Sequence, residues 1–527
     1  MNATLAEGAT RHDGARSAGG SDASPRRDPL WVKVLDQTRC IGCHACTTAC
    51  KSENEVPLGV SRTYVKSVDV GRWPQVRRAF QVTRCNQCED APCVAACPTA
   101  AMYRRPDGIV DFDKSVCIGC KACMAACPYD AIFINPDDHS AEKCNFCAHR
   151  LEVGLEPACV VVCPTEAILV GDVNDPSSKV AKIVQRQPVA VRRPDKATRP
   201  KVFYVGAHQA TLDPLAARRP EGTTFAWAQL PPRGQVLSGS HEKHANSSAA
   251  ALLSYDVGHS VPWGWRVSLY TWTKGIAAGA YAVAAALAFA GQVSWSSPLV
   301  RLYAPGVSLA LLAVTSVLLI WDLKHPMRFW MLLARPQWQS WLVRGGVILT
   351  LYAAFLVAAI GAGIAGSGTA EHVMAFPGVA LAFLTAIYTA FLFAQARARD
   401  MWQNPLLAPH LAVQALLAGS AAMLPAAAAT APGAVGTIGV LLASACAAHL
   451  LFMAGETLPD HTSAHVHAAV FEMTRGRFAV LYWVGIVLIA SGIAVPASTW
   501  WLGFVPLAGL LAHEHSYVQS AQAVPLA

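Results

Sequence analysis

The spacing of the cysteines constrains the fold of this chain more than any other feature. Sixteen of the 17 cysteines fall between Cys40 and Cys163, in four groups of four. Two groups follow the spacing C-x2-C-x2-C-x3-C, and the other two keep its opening and its closing around a longer middle. In chain order the groups are Cys40, Cys43, Cys46 and Cys50; Cys85, Cys88, Cys93 and Cys97; Cys117, Cys120, Cys123 and Cys127; and Cys144, Cys147, Cys159 and Cys163. This part of the chain must fold around these side chains and whatever they bind.

The chemistry that fits this spacing is that of iron–sulfur proteins. Three thiolates on one tight loop can hold three irons of a cubane cluster, and the fourth cysteine reaches the other cluster of a pair. The small residues Ile41-Gly42 and Ile118-Gly119 leave room for backbone amides to point at sulfur. All sixteen positions are cysteine, so the pattern predicts four 4Fe–4S clusters and no three-iron cluster.

Disulfides and structural zinc are the two other uses of closely spaced cysteines. The cysteines of a C-x2-C loop are poorly placed to bridge distant segments. Zinc gives no reason for four C-x3-C closures, three of them followed by proline. The short connection from Cys97 to Cys117 indicates that the second and third groups exchange their fourth ligands, as in a two-cluster ferredoxin. The first and fourth groups then pair around them, so that one ferredoxin unit is nested inside another. This arrangement predicts a linear series of clusters along which electrons pass.

Two segments beside the cysteine-rich region have no such pattern. Residues 1–28 are rich in Gly, Ser, Ala and Arg, and we expect a disordered tail there. Arg26-Arg27 is not followed by the apolar stretch of about 7–15 residues that an export signal needs, so we expect no signal. Residues 206–262, rich in Pro, Gly, Ser and His, are predicted to be a linker. The electron-transfer domain is therefore predicted over residues 29–205.

This domain resembles a known family. The stretches CIGCHACTTACKSENEVPLGV and CNQCEDAPCVAACPTAAM are similar to the four-cluster electron-transfer subunits of molybdopterin oxidoreductases. The resemblance covers about Trp31 to Tyr204, and the segments Gly171–Ser178 and Arg199–Val205 look like the closing part of that module. Lys51 stands where the other three C-x3-C closures have proline. The resemblance implies electron transfer to or from a molybdopterin-containing catalytic subunit on another chain.

The carboxyl-terminal half of the chain is poor in charge. Charged residues make up only 14% of the whole chain, against about 25% in ordinary soluble domains. A helix needs about 20 apolar residues to cross a bilayer. Four stretches without Asp, Glu, Lys or Arg meet that requirement: Gly275–Val300, Leu302–Trp321, Gly345–Ala370 and His372–Ala396.

Two further apolar stretches are long enough for two spans each. Met401–Gly455 is predicted to break between Pro425 and Gly436. Phe478–His513 is predicted to break near Pro496 and to end in a short last span. The sequence thus predicts an all-α polytopic membrane domain of eight helices, which places both termini on one side.

The loops between these stretches predict the orientation. The side of the termini carries Lys324, Arg328, Arg335, Arg344, Arg397, Arg399, Arg475 and Arg477. The opposite side offers only Arg301. Because cytoplasmic loops are enriched in Lys and Arg, we expect a multi-pass protein of the cell inner membrane with its iron–sulfur domain in the cytoplasm. Part of the net charge of +8 reports this orientation, and nothing indicates a nucleic-acid partner.

The membrane half resembles a second family. The stretches Trp263–Ala280, Asp322–Gly346, Tyr388–Leu407 and Glu514–Ala527 are similar to the NrfD-type polysulfide-reductase membrane subunit. The resemblance implies a haem-free anchor of eight helices that exchanges electrons with quinone beside the nearest cluster, and in this family proton movement can accompany the redox step. We place this domain at residues 263–515 and a carboxyl-terminal tail at residues 516–527.

Polar residues near the cluster side of the spans are the candidates for a quinone site. A quinone needs an apolar slot and a proton-bearing group at each carbonyl, and intramembrane ionisable groups are costly to bury. The candidates are Tyr270, Lys274, Asp322, His325 and Tyr388. Each also has a structural interpretation: a tyrosine can belong to the interfacial belt, a lysine can snorkel, and Asp322 can pair with Arg328.

Two polar residues of the sixth span are candidates for a proton relay. His449 and Glu456 lie seven residues apart and share one helical face. His449 is the only histidine predicted to lie deep in the membrane, so no haem is expected. The sequence His513-Glu514-His515 is interpreted as a solvated loop, and Cys446 has no assigned role.

Taken together, the sequence predicts an α+β double ferredoxin-like iron–sulfur domain fused to a membrane domain. Electrons would pass between a partner catalytic subunit and the quinone pool. The cytoplasmic orientation favours oxidation of a cytoplasmic substrate, of the sulfite or phenylacetyl-CoA type by resemblance only, with reduction of quinone. The alternatives are a quinol-oxidising reductase of polysulfide, thiosulfate or dimethyl sulfoxide, and a redox-driven proton translocator.

Overall fold

A computed structural model describes residues 28–218, 251–366, 368–494 and 501–527. Residues 1–27 of the predicted tail and residues 219–250 of the predicted linker lie outside this described part. An α+β domain comes first, and a helical domain with long apolar helices follows it.

The amino-terminal domain is built from short elements around the cysteine loops. Its strands are β1 (Trp31–Asp36), β2 (Thr63–Arg72), β3 (Gln75–Arg84), β4 (Met102–Arg104), β5 (Val110–Phe112), β6 (Ile132–Ile134), β7 (Ala141–Lys143), β8 (Ile168–Asp172), β9 (Val189–Ala190), β10 (Val202–Val205) and β11 (Ala251–Tyr255). Its helices are α1 (Ala45–Glu53), α2 (Pro92–Ala96), α3 (Ala122–Ala126), α4 (Ala148–Leu151), α5 (Ala158–Val161), α6 (Lys179–Arg186) and α7 (Gln209–Leu212).

Strand pairing brings the first and last cysteine groups together. The strand β1 precedes the first group and pairs in antiparallel register with β8, which follows the fourth group. The helices that carry the later cysteines of these groups, α1 and α5, pack on each other. In the same way α2 of the second group packs on α3 of the third. Groups distant in sequence are therefore neighbours in space, and the second and third groups lie between the first and the fourth along the chain.

A second sheet includes part of the predicted linker. The hairpin of β2 and β3 is extended on one side by β11, in the order β11-β2-β3. The helix α7 also falls within residues 206–262. Both ends of that segment thus belong to the iron–sulfur domain, because Leu253 and Ala251 of β11 bury their side chains against β2.

The membrane domain contains six helices long and apolar enough to span a bilayer, within the residues described. Its helices are α8 (Trp265–Phe289), α9 (Ala304–Asp322), α10 (Met331–Ala334), α11 (Trp341–Ala365), α12 (Gly368–Gln395), α13 (Leu407–Thr430), α14 (Val435–Thr457), α15 (Ala464–Thr474), α16 (Ala479–Ser491) and α17 (Phe504–Gln522). A π-helical turn at Leu299–Tyr303 leads into α9. A seventh span is formed if α15 and α16 count as one, with a bend of 70° between α15 and the segment Ala479–Ala494.

The last spans differ from the prediction in their lengths and composition. The helix α16 has only 13 residues, and α17 carries His513, Glu514 and His515 within its 19 residues. The break predicted between Pro425 and Gly436 lies at Ala431–Ala434, because α13 continues through Pro425 to Thr430 and α14 begins at Val435.

The helix α8 is the centre of the bundle. It contacts α9, α12, α13 and α17. In its most apolar stretch 78% of the residues are buried inside the protein, whereas in that of α11 only 22% are buried. The close approach to α13 needs glycine, since a Cβ at Gly279 would lie 1.8 Å from the carbonyl oxygen of Ala415. Small residues at such contacts let helix backbones approach in a membrane. Polar side chains of α8 therefore lie inside the domain.

The carboxyl-terminal segment is part of the fold. The boundary predicted between residues 515 and 516 lies inside α17, which continues to Gln522. The following residues 523–527 are buried. The guanidinium of Arg399 donates to the carbonyl oxygens of Gln522 and Val524, and that of Arg192 donates to the carbonyl oxygen of Leu526. These contacts place the segment between the two domains, so it is no loose tail.

Candidate cluster sites and the membrane cavity

Two cavities in the iron–sulfur domain are each lined by four cysteines. One is lined by Cys117, Cys120 and Cys123 of the third group and by Cys97, the last cysteine of the second. The other is lined by Cys40, Cys43 and Cys46 of the first group and by Cys163, the last cysteine of the fourth. We call these sets the membrane-facing set and the outer set. In each of them the fourth cysteine comes from the paired group.

The remaining eight cysteines form two inner sets by the same rule. Cys50 lies among Cys144, Cys147 and Cys159. Cys127 lies beside Cys85 and Cys88, and Cys93 lies beside Cys127. All sixteen thiols are free of disulfide bonds. Four thiolates around one cavity are the donor set of a 4Fe–4S cluster, so these residues fit such a cofactor.

Backbone amides point at the cysteine sulfurs, as an iron–sulfur site requires. The amide of Met102 donates to Cys97 Sγ at 3.4 Å, and that of Ala141 donates to Cys117 Sγ at 3.4 Å. The amide of Ala167 donates to Cys163 Sγ at 3.2 Å. Hydrogen bonds to the sulfurs are one of the means by which a protein sets a cluster's reduction potential.

The four sets form one linear series. The outer set lies next to the first inner set, because Cys46 is a neighbour of Cys159. The two inner sets meet where Cys85 is a neighbour of Cys144. The second inner set lies next to the membrane-facing set through Cys93 and Cys123. At the start of the series Cys43 is exposed, whereas the cysteines of the inner sets are buried.

Buried cations surround one of the inner sets. The ammonium of Lys33 donates to Cys159 Sγ at 3.6 Å and the guanidinium of Arg84 donates to it at 3.2 Å. The two side chains are 0% and 1% exposed. Although burial alone would raise the pKa of the Cys159 thiol, these two cations lower that pKa to about 7. They favour the thiolate form and its added negative charge.

The membrane-facing set is attached directly to the membrane domain. The amides of Lys324 and His325 donate to the carbonyl oxygens of Gly119 and Ile118, and Arg328 donates to that of Cys117. The approach is so close that a Cβ at Gly119 would lie 2.4 Å from Lys324 Cβ. The loop after α9 therefore holds the loop of the third cysteine group against the bundle.

The predicted quinone residues fall into two places. Asp322 and His325 lie at this junction, where Asp322 pairs with Lys121 at 2.8 Å and with Arg266 at 3.9 Å. The predicted alternative partner of Asp322, Arg328, binds backbone carbonyls instead.

Tyr270, Lys274 and Tyr388 lie together inside the bundle, and all three are buried. The ammonium of Lys274 donates to the carbonyl oxygen of Ala386 at 2.7 Å and to Thr389 Oγ1 at 2.8 Å. It also lies 4.9 Å from the centre of the Tyr388 ring.

A cavity inside the membrane domain lies beside this group. It is lined by Thr271, Phe393, Leu407, His410, Leu411, Gln414, His513, Glu514, Tyr517 and Val518. Thr271 Oγ1 donates to the carboxylate of Glu514, which lies in turn within electrostatic reach of Lys274. Mostly apolar walls with a few convergent polar groups are typical of ligand pockets.

Two aromatic rings join the membrane-facing set to this cavity. The indole Nε1 of Trp263 donates to the carbonyl oxygen of Cys120 at 3.2 Å. The Trp263 ring lies 5.9 Å from that of Phe393, centre to centre, and Phe393 lines the cavity.

The predicted relay residues His449 and Glu456 are connected through a histidine that the sequence pattern did not reveal. His410 Nδ1 lies 3.0 Å from Glu456 Oε1, and its Nε2 lies 2.7 Å from His449 Nδ1. The spacing of His410 and Gln414, four residues apart in an otherwise apolar helix, was the signal that could have identified this polar face.

Two further expectations about histidines are wrong. His513 and Glu514 are 2% and 5% exposed on α17 rather than solvated in a loop. His449 is not the only deep histidine, because His410 and His513 are buried beside it.

A buried ion triad at the domain junction was also missed. His259 Nδ1 lies 2.7 Å from Asp130 Oδ2, and its Nε2 lies 3.3 Å from Asp256 Oδ1. Burial alone would lower the pKa of His259, but the two carboxylates outweigh it and raise the pKa to about 9. The imidazolium therefore links the third cysteine segment to the entrance of α8.

Comparison with known protein families gives two matches in chain order. Residues 76–173 match the model of the 4Fe–4S dicluster domain. Residues 256–502 match the model of the polysulphide reductase NrfD family.

Similar proteins include several that each match about a third of this chain. A tetrathionate reductase subunit of Salmonella typhimurium is 43% identical over 201 residues, which cover 37% of this chain and 80% of that protein. A polysulfide reductase component of Wolinella succinogenes is 44% identical over 175 residues, 33% of this chain and 92% of that protein. A putative dimethyl sulfoxide reductase iron–sulfur subunit of Halobacterium salinarum is 38% identical over 218 residues, 36% of this chain and 83% of that protein.

The fold and the cysteine sites define a 4Fe–4S electron-transfer protein with its own membrane domain. The chain belongs to the iron–sulfur subunit family of polysulfide- and tetrathionate-reductase-type complexes, fused here to an NrfD-type membrane anchor.

Proposed function

We propose that this chain carries electrons between a partner catalytic subunit and the quinone pool. The observation that carries the proposal is the path from Cys120 through Trp263 and Phe393 to the membrane cavity. It joins the end of the cysteine series to the inside of the bundle through direct contacts.

Four 4Fe–4S clusters are proposed, one for each set of cysteines. Such clusters supply one-electron transfer when bound. The cysteines bind them, the amides of residues such as Met102 and Ala141 orient toward sulfur, and the surrounding side chains exclude water. The reciprocal exchange of Cys97 and Cys127, and of Cys50 and Cys163, supports the double ferredoxin arrangement.

The outer end of the series is the proposed docking surface for a molybdopterin-containing catalytic subunit. Beside the exposed Cys43, the apolar side chains of Ile41, Val161 and Val162 are 58%, 60% and 39% exposed. Exposed apolar patches mark protein interaction sites. Relatives with the same cysteine-rich part are named as subunits of reductase complexes, which supports a partner here.

Tyr270, Lys274 and Tyr388 are proposed to bind quinone with the cavity beside them. Their hydroxyl and ammonium groups can donate to a quinone carbonyl, and Phe393, Leu407 and Leu411 give the cavity an apolar surface for its ring. For Asp322 and His325 we propose a positioning role, since they hold the loop of Cys117 to Cys120 against the bundle.

Glu456 and His449, connected by His410, are proposed to move protons to or from that cavity. The three groups are buried and within hydrogen-bond distance of one another in series. Buried ionisable residues in a membrane commonly form such relays. A redox-driven proton translocator is therefore an extension of the same proposal.

Eight spans and a cytoplasmic iron–sulfur domain in the cell inner membrane are proposed. The helices α16 and α17 would be the last two spans. The basic residues Lys324, Arg328 and Arg399 lie on the face that binds the iron–sulfur domain, whereas Arg301 pairs with Glu371 at the other end. The bias of positive charge supports this orientation.

We propose two directions of electron flow, the preferred one first. The charge bias favours a cytoplasmic substrate of the sulfite or phenylacetyl-CoA type that is oxidised while quinone is reduced. The names of the relatives, reductases of tetrathionate, polysulfide and dimethyl sulfoxide, favour the second direction, from quinol to substrate. Reporter fusions at the loop of residues 335–340 measure the side of the membrane and separate the two.

The quinone reaction is tested on the full chain in lipid nanodiscs. Chemically reduced clusters are mixed with a short-chain ubiquinone or menaquinone, and their reoxidation is followed by visible absorbance. We expect fast reoxidation in the wild type and at least about a tenfold slower rate for Tyr270→Phe or Lys274→Met. Tyr281→Phe, also buried on α8, is the matched control and should react normally. Failure of both quinones to reoxidise the wild type would overturn the proposal.

A further inference from the structure

Three buried histidines from three helices meet beside the membrane cavity. His410 lies on α13, His449 on α14 and His513 on α17, and they are 1%, 0% and 2% exposed. One ring nitrogen of each lies within 4.8 Å of the others. Burying three imidazoles against each other is unfavourable for the free energy of folding, because they repel one another when protonated and compete for hydrogen-bond donors when neutral.

We propose that His410, His449 and His513 together bind one divalent transition-metal ion such as Zn²⁺. Three imidazole nitrogens with no thiolate among them suit zinc, copper, nickel or iron, whereas magnesium and calcium prefer oxygen. The site goes beyond the proposed electron transfer and rests on none of the cluster cysteines, although it borders the cavity proposed for quinone.

Glu456 provides the outer contact that metal-binding histidines commonly have. It lies 3.0 Å from His410 Nδ1, which leaves His410 Nε2 directed at the other two rings. A carboxylate bound to the far nitrogen of a histidine fixes its tautomer and orientation and raises its basicity as a ligand. The sequence separation of His410 from Glu456 on the next helix makes this a tertiary contact, which needs the bundle to be folded.

The hydrogen bonds of the cluster are incomplete without a further ligand. Among the described residues, His513 Nδ1 has no hydrogen-bond partner, although its ring is buried. Gln414 Oε1, which lines the same cavity, is likewise without one. Buried polar atoms are normally paired, so an unpaired set in one place indicates an additional occupant.

Small side-chain movements are enough to form the site. The 2.7 Å between His410 Nε2 and His449 Nδ1 must widen to about 3.3 Å for two nitrogens bound to one tetrahedral zinc. The cavity lined by His410, His513 and Gln414 provides the open side at which a fourth ligand can bind. An ion here replaces the hydrogen bond between His410 and His449, so the ion-bound form and the proton relay are alternative states of one cluster.

The test measures zinc binding by the full chain in nanodiscs. The purified protein is stripped of loosely bound metal, equilibrated with micromolar Zn²⁺ and desalted, and zinc and iron are then counted by mass spectrometry. We expect one tightly bound zinc per chain in the wild type. His513→Gln and His410→Gln should each lower the affinity at least about 100-fold, and Glu456→Gln about 10- to 100-fold. Zinc X-ray absorption should show imidazole ligands at about 2.0 Å.

His515→Gln is the matched control, since it changes a histidine on the same helix whose ring packs against Phe478 instead. It should retain the bound zinc. Iron content and cluster absorbance equal to the wild type show that each variant is folded. Two results would overturn the proposal: no stoichiometric zinc in the folded wild type, or equal zinc retention in the folded His513→Gln and Glu456→Gln variants. Neither readout depends on quinone or on the proposed direction of electron flow.

Discussion

Lys121 and Asp322 form an ion pair of 2.8 Å that joins the iron–sulfur domain to the end of a membrane helix. The two side chains are 10% and 13% exposed. Lys121 follows Cys120 directly, and Asp322 is the last residue of α9. The position of the membrane-facing cysteine set relative to the bundle is thus fixed by a charge pair as well as by backbone hydrogen bonds.

Removing this pair should loosen the junction without emptying the cluster sites. Asp322→Asn leaves the Lys121 ammonium without its counter-charge, and we expect the junction to lose about 1–3 kcal/mol. Hydrogen exchange of residues 117–123, measured by mass spectrometry, should accelerate accordingly, with iron content unchanged. Asp138→Asn breaks the more exposed pair with Lys114 and is the control. An equal acceleration in the two variants would contradict the prediction.

Exchanging single cysteines should reveal which of them share a cluster. Cys97→Ser is expected to alter the same electron paramagnetic resonance signal as Cys117→Ser, because both line one cavity. Cys127→Ser should alter the signal that Cys85→Ser alters. Complete loss of a cluster removes about four irons per chain. Cys446→Ser lies outside the four sets and should leave iron content unchanged; grouping of Cys97 with Cys85 instead would refute the exchange.

The two cations at Cys159 should raise the reduction potential of the cluster held there. A unit charge about 5 Å away contributes on the order of 3 kcal/mol at an effective dielectric constant of about 20, equivalent to about 0.1 V. Lys33→Met is therefore expected to lower one midpoint potential by up to about 0.1 V in a redox titration, with the other signals nearly unchanged. Lys179→Met, at an exposed pair with Glu166, is the control. A uniform shift of all signals would argue against this local effect.

The junction should weaken as the solution becomes alkaline. The pKa of His259 is raised from 6.5 to about 9 by Asp256 and Asp130, against the opposing effect of burial. A raised pKa means that the stabilisation is fully present below about pH 6.5 and is lost as the pH rises through about 9. Arg399 is a further charge near Asp130, and because burial lowers its pKa from 12.5 to about 10, it begins to lose its proton only at the alkaline end of this range. Thermal unfolding between pH 6.5 and 9.5 measures the effect, and His259→Gln should flatten the profile. A wild-type profile that is already flat would exclude this role.

The cysteine pattern predicted more of the fold than any other part of the sequence. Ligand spacing is local, so the short connection between Cys97 and Cys117 predicts an exchange of fourth ligands between the second and third groups. The span count was less predictable, because α16 is short and α17 contains His513 and Glu514 in place of an apolar run. Hydropathy alone does not show whether such polar residues face a loop or a neighbouring helix.

The buried histidine cluster could not be predicted from the sequence, because it forms only through tertiary packing. His410, His449 and His513 come from helices that are separate in sequence, and only α13, α14 and α17 packed together make them neighbours. The same holds for His259, whose partner Asp130 is far from it in sequence. A single sequence gives the chemical character of each residue, but not which residues of other helices it meets.

The exchange of fourth cysteines between groups imposes an order on the assembly of this protein. The second and third groups are complete once the chain has been synthesised to Cys127, because all eight of their cysteines lie between Cys85 and Cys127. The first and fourth groups need both Cys50 and Cys163, so no shorter amino-terminal fragment can supply all their ligands. The first membrane helix begins at Trp265, well after both. Maturation can therefore proceed from the membrane end of the series toward its outer end, and the proposed docking site for a partner subunit is finished last.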